Sequence, residues 1–176
     1  MPGVENAQQA RTWAEADGVL PESLGVDMDQ IFPGANVVAG VLVLIVGFGL
    51  HFGGQLISVV NWDLATRWGL QEAGKRPEYR VYERGIAMAD VLIGWTYAVA
   101  GIGLLIDASW GYLWAWIPGA ILTYHALSFW FWTGGQLASG DLDATTRQPF
   151  RSIWTMANLA TGILTILVAN SQTLVR

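Results

Sequence analysis

The sequence predicts an all-α integral membrane protein, a four-helix bundle in lipid. Three observations carry this expectation. Four apolar runs, each near the roughly 20 residues that cross a hydrocarbon layer, contain a single formal charge, Asp90. The other charges gather between the runs, so that only 13% of the chain is charged against about 25% in a soluble domain. Most of the ten tryptophans lie at the ends of the runs, where amphipathic rings prefer the headgroup zone.

Residues 1–35 form a polar, acidic N-terminal tail. No basic segment leads into an apolar one there, so the tail does not read as a signal peptide. Residues 7–20 have the composition of a short surface helix, and Pro33-Gly34 breaks the chain before the first run. The remainder, 36–176, is one domain whose spans are expected at about 37–60, 85–106, 110–132 and 153–172. Continuous apolarity excludes the alternation that a lipid-facing β-barrel requires.

Basic residues set the orientation. Arg67, Lys75, Arg76, Arg80 and Arg84 lie between spans one and two, and Arg147 and Arg151 precede span four. Only Arg11 and Arg176 fall on the other side. This asymmetry predicts a multi-pass protein of the cell (inner) membrane with both termini extracytoplasmic. "GLQEAGKRPEYRVYERG" reads as a short cytoplasmic helix, a turn at the proline and the entry to span two. Trp62, Trp68, Trp130, Trp132 and Trp154 would anchor the cytoplasmic side, and Trp110, Trp114 and Trp116 the outer side. Trp95, inside span two, is a packing residue or a ligand wall.

An internal echo runs through the chain. "GGQL" occurs at 53–56 and again at 134–137; "DLATR" follows the first copy and "DLDATTR" the second. The next helices carry "MADVLIG" at 88–94 and "MANLATG" at 156–162. This order predicts two parallel two-helix repeats related by an axis along the membrane normal, with chance similarity between apolar segments as the alternative. The paired glycines would let a neighbouring backbone approach. Gln55 and Gln136 would satisfy backbone groups or one another.

The polar groups inside the runs are the candidate site. An intramembrane carboxylate is costly and by default functional; Asp90 could also pair with Arg84 or Arg151. Asn158 matches Asp90 in the echo. His51 and His125, the only histidines, fall on spans one and three, which face each other diagonally in an up-down bundle. If level, they could ligate haem or another tetrapyrrole axially. Aligning the two GGQL copies instead offsets them by seven residues, roughly 10 Å along a helix, and brings His51 level with Asp90 as an Asp–His pair. Pro118-Gly119 predicts a kink in span three, with Thr123, Tyr124 and Ser128 beyond it shaping an outward cavity or a packing face.

Cysteine is absent, which removes disulfides and thiolate metal sites. The net charge of −5 argues against nucleic acid as a partner. No HExxH, GxSxG or glycine-rich phosphate loop occurs, and the donors are too few to predict a zinc or di-iron centre from the sequence. The expectation is therefore a non-enzymatic accessory, scaffold or small-solute-handling subunit in the lipid bilayer, as a homo-oligomer or part of a larger membrane complex. The alternatives are a tetrapyrrole-binding protein through His51 and His125, and an intramembrane enzyme built on Asp90 and His51.

Overall fold

A computed structural model describes residues 32–72, 77–140 and 148–173. The tail and its expected helix at 7–20, Lys75, Arg76, the link at 141–147 and Arg176 lie outside the described residues. Within them the chain is helical, without strands: α1 (Ala35–Val60), α2 (Trp62–Arg67), α3 (Pro77–Leu105), α4 (Ser109–Ala138) and α5 (Gln148–Thr173).

Local chemistry sets the boundaries. Gly34 enters α1 at φ 77°, a left-handed conformation open to glycine. Asn61 separates α1 from α2, and its side chain accepts from the Leu64 N–H at 3.0 Å, a standard N-cap. Gly69, at φ 74°, turns the chain after α2. Gly69–Glu72 are not helical, and residues 73–76 of the short helix expected before Pro77 lie outside the described residues; a separate short helix, α2, precedes them at Trp62–Arg67. Pro77 opens α3, where its missing N–H costs nothing, and Glu78 follows in the first turn.

Between α3 and α4 the turn is short and tied. Asp107 adopts φ 54°, unusual for a residue with a side chain. Its carboxylate accepts from the Tyr112 hydroxyl and, at 3.4 Å, from the Asn36 amide. Asn36 also donates to the Leu104 carbonyl at 3.2 Å, joining α1 to the same corner. A Cβ placed on Gly103 would lie 2.4 Å from Gly111 Cα, so the two backbones meet with nothing between them.

Three helices are long and apolar enough to cross a membrane: α1, with mean hydropathy 2.2, α3 with 1.6, and α5 over Pro149–Ser171 with 1.6. The third expected span is a continuous helix of 30 residues, but it does not reach the same apolarity. Five tryptophans, two tyrosines and a scatter of Ser, Thr and Gln dilute its aliphatic content, although it carries no Asp, Glu, Lys or Arg. Pro118 is buried within it, and Thr123 Oγ1 donates to the Gly119 carbonyl at 2.8 Å.

The packing is inside-out relative to a water-soluble protein. Ile45, Leu50, Leu92, Leu113, Phe131 and Ile153 are exposed, whereas the buried positions include Ala39, Ala100, Ala115, Thr161 and Thr165. Small residues let helices approach where lipid offers no hydrophobic drive between them. Gly40 faces the Gly101 carbonyl, and Gly119 and Gly162 face one another's backbone. The GGQL glycines do not serve this purpose: among the described residues a Cβ on Gly134 or Gly135 would meet nothing within 4 Å, and one on Gly53 or Gly54 would make only ordinary contacts at 3.8 and 3.9 Å. The close-packing role expected of that phrase belongs to other glycines.

α4 packs most extensively on α5, α3 contacts both α1 and α4, and α1 also touches α5. α1 and α4 meet narrowly, through the middle of α1. There Val43–Phe52 is wound in π form, with the Gly53 N–H donating to the Phe48 carbonyl five residues back. Such wide turns occur often at functional sites.

Candidate functional site

His51 lies near the end of the π-wound segment, and is buried. Gly47, one turn before it, carries no side chain, and a Cβ there would lie 2.7 Å from the Tyr97 ring. That space admits Tyr97, whose hydroxyl is 2.8 Å from His51 Nδ1. On α3 the buried positions Ala87, Asp90, Gly94, Tyr97, Gly101 and Leu104 recur every three or four residues and so share one face. Asp90 and Tyr97 are two turns apart on it. Gly94 between them accommodates Phe52, whose ring would be 2.4 Å from an added Cβ.

Asp90 is the hub. Its Oδ1 lies 3.0 Å from His125 Nε2, and its Oδ2 accepts from Gln55 Nε2 at 2.9 Å. A carboxylate oxygen can only accept here, so His125 Nε2 is the donor. His51 Nε2 stands 3.6 Å from Oδ2, close but beyond a hydrogen bond. The two imidazoles meet edge to face, with centroids 4.5 Å apart and planes at 70°. Trp154 from α5 closes one side, its ring 6.4 Å from His51. His125 is the most exposed member, at 21%, so the centre is sealed on the α1 and α3 sides and more open towards α4.

The level placement of the two histidines is observed, and the seven-residue offset obtained by aligning the GGQL copies is not. His51, Asp90 and His125 share one level. The two GGQL copies do not: Gln55 bonds Asp90, whereas Gln136 belongs to a second cluster. There Arg151 donates to Glu72 and to Gln136 Oε1, and Gln136 Nε2 donates to Glu72 Oε2 at 2.9 Å. Gln55 and Gln136 therefore bond charged side chains rather than backbone or one another. Arg84 donates to the Val59 carbonyl, so neither expected arginine pairs with Asp90.

The imidazoles converge, but not in a form suited to axial ligation. Two imidazoles bound end-on to one metal from opposite faces, with each nitrogen about 2.0–2.1 Å from it, would hold their ring centroids roughly 6 Å apart, against the edge-to-face contact at 4.5 Å observed, in which both Nε2 atoms turn to Asp90. Asn158 is buried on α5 and donates to the Trp154 carbonyl. Its Oδ1 has no hydrogen-bond partner among the described residues. Trp95 is half exposed and meets Trp114 at a tilt, with centroids 5.4 Å apart, which gives it packing rather than a ligand wall. Tyr124 is exposed, and its ring meets that of His125 edge to face with centroids 5.5 Å apart.

Sequence reasoning missed Tyr97, and it read Trp154 as an interfacial anchor without its ring contact to His51. The seven-residue spacing of Tyr97 from Asp90, with Gly94 between them on the same face, was a readable signal for the first. Nothing in the sequence distinguishes Trp154 from the other helix-end tryptophans. Chemically, the centre offers a carboxylate and two imidazoles, three donors whose ligand atoms all lie within 4.8 Å of one another.

No protein-family model matches the chain, and no curated protein or solved structure matches it. The fold and the site define a helical protein with three candidate spans and a buried Asp–His centre, and the functional reading rests on that geometry.

Proposed function

We propose that the protein is a small polytopic membrane protein that handles a small cationic solute through the His51–Asp90–His125 centre. The observation that carries this reading is the convergence of both histidines on one buried carboxylate, within a helix apolar enough to span a bilayer. An acid in that setting costs several kcal/mol unless it is partnered, and its partners here come from two other helices. In this reading α4 crosses with α1, α3 and α5 as a four-helix membrane bundle. The basic residues around α2 and before α5 face the cytoplasm, and both termini lie outside the cell membrane. The GGQL echo is then an old duplication whose copies have diverged in partners.

The test is cation flux in vesicles containing the purified full-length chain, under imposed gradients of protons, sodium and divalent ions. The expected result is flux of at least one cation above protein-free vesicles, reduced at least tenfold in Asp90→Asn. Equal flux in wild type and Asp90→Asn would overturn the reading. It would leave the accessory or scaffold role, in which the same residues only hold helices together.

A further inference from the structure

We infer that the cation taken by this centre is a divalent first-row transition metal ion, bound by His51, Asp90 and His125. This deepens the proposed function and rests on it for the ion's role, although the binding claim is tested separately. Four features of the site point to it.

The donor spacing is that of a metal site. Zinc holds imidazole nitrogen at about 2.0–2.1 Å and carboxylate oxygen at about 2.0–2.2 Å. The corresponding ligand–ligand edges of a tetrahedron are roughly 3.3 Å. His125 Nε2 and His51 Nε2 stand 3.0 and 3.6 Å from the two Asp90 oxygens, on either side of that value. All three donors fall within 4.8 Å, so side-chain movements of about 1 Å bring them onto one ion.

The ligands are oriented from behind. A metal-binding histidine engages its second nitrogen with a hydrogen-bond partner, which fixes tautomer and ring direction. His51 does this through Nδ1 and the Tyr97 hydroxyl, directing Nε2 at Asp90. The Asp90 carboxylate is held by Gln55.

The donor chemistry selects the ion class. Calcium and magnesium take oxygen ligands, commonly six or more for calcium, whereas imidazole suits zinc, copper, iron and nickel. Two imidazoles and one carboxylate leave a tetrahedral ion one open position, as in sites that exchange a ligand. Asn158, one turn along α5 from the Trp154 that walls His51, keeps a buried Oδ1 with no hydrogen-bond partner among the described residues.

Acidic groups extend from the centre. Glu83 lies seven residues before Asp90 on α3, two turns along the same side, and within electrostatic range of Asp90, His125 and Glu72. Carboxylates lined up at a low-dielectric wall raise the local concentration of cations.

The experiment uses the full-length protein in detergent, stripped with a chelator and titrated with Co²⁺, with Zn²⁺ as competitor. One Co²⁺ per chain is expected, with the visible ligand-field bands of a four- or five-coordinate ion, lost on adding Zn²⁺. His51→Gln and His125→Gln, which remove ligands, should each weaken binding by more than the roughly 10- to 100-fold that loss of an outer-shell partner costs. X-ray absorption of the Zn²⁺-loaded wild type, which needs no variant, should report two imidazoles per ion. The inference fails if folded wild type takes up no Co²⁺ at millimolar concentration. It also fails if binding persists in the double histidine variant, or if the absorption spectrum shows only oxygen ligands. Monovalent-cation flux without Co²⁺ binding would sink the inference and keep the proposed function. Stoichiometric binding without flux of any cation would do the reverse.

Discussion

Asp90 Oδ1 lies 3.0 Å from His125 Nε2, so a single buried carboxylate ties α3 to α4 while its second oxygen ties α3 to α1 through Gln55. Asp90→Leu would leave the His125 N–H and the Gln55 amide without that acceptor. A buried donor stripped of its partner costs about 1–3 kcal/mol. Asp90→Leu should therefore lower stability to detergent unfolding by more than Asp90→Asn, which retains an acceptor oxygen. Equal stability of the two variants would show that these hydrogen bonds are not what holds the three helices at this level.

Tyr97 orients His51 from outside the donor set. Tyr97→Phe removes only the hydroxyl 2.8 Å from His51 Nδ1, and should weaken Co²⁺ binding about 10- to 100-fold. Its effect on stability should stay near 1 kcal/mol, the net worth of a typical hydrogen bond. A titration and an unfolding curve on the same preparation separate the two. An unchanged Co²⁺ affinity would remove Tyr97 from the site.

The glycines divide into two groups. Gly103→Ala sets a methyl 2.4 Å from Gly111 Cα, a backbone that cannot step aside, and should cost about 2 kcal/mol or more, as overpacking does. Gly134→Ala meets nothing within 4 Å. It should be neutral or stabilising by up to about 1 kcal/mol, since alanine is the better helix former. Unfolding of the two variants side by side tests whether close helix approach is made at the α3–α4 corner rather than at GGQL.

Arg151 is 3% exposed and bonds both Glu72 and Gln136. Arg151→Ala removes the buried guanidinium that bonds both Glu72 and Gln136 and should destabilise by about 3–5 kcal/mol. Arg151→Met combined with Glu72→Leu should recover most of that loss, because apolar groups of similar volume often replace a buried pair without penalty. If the single and double variants unfold alike, the cluster does not act as a pair.

The fold was legible where a single segment carries its own signal. The runs at 37–60, 85–106 and 153–172 sit inside helices that begin earlier or end close by, because uninterrupted apolarity and helix length are local properties. α4 was legible as a helix but not as an equally apolar span: its ring-rich composition reads as membrane-compatible to the eye and as diluted on a hydropathy scale. Asp90, His51 and His125 were legible as candidates, since polar groups are scarce in such runs. Their common depth was not. It depends on the π-wound turns of Val43–Phe52, on the narrow meeting of α1 with α4, and on the offset between the GGQL copies, none of which leaves a mark in composition.

By itself, the order of residues determined that long helices would form, that three of them would be long and apolar enough to cross a membrane, and which few side chains would be costly to bury there. Only the tertiary structure decided that three of those side chains share one level, that Tyr97 and Trp154 stand beside them, and that Gln136 serves a different cluster. The reason is one of range. Transfer into lipid is set residue by residue along a helix, whereas a site of three donors from three helices exists only once Gly103 against Gly111 and Gly119 against Gly162 have set how the helices slide past one another.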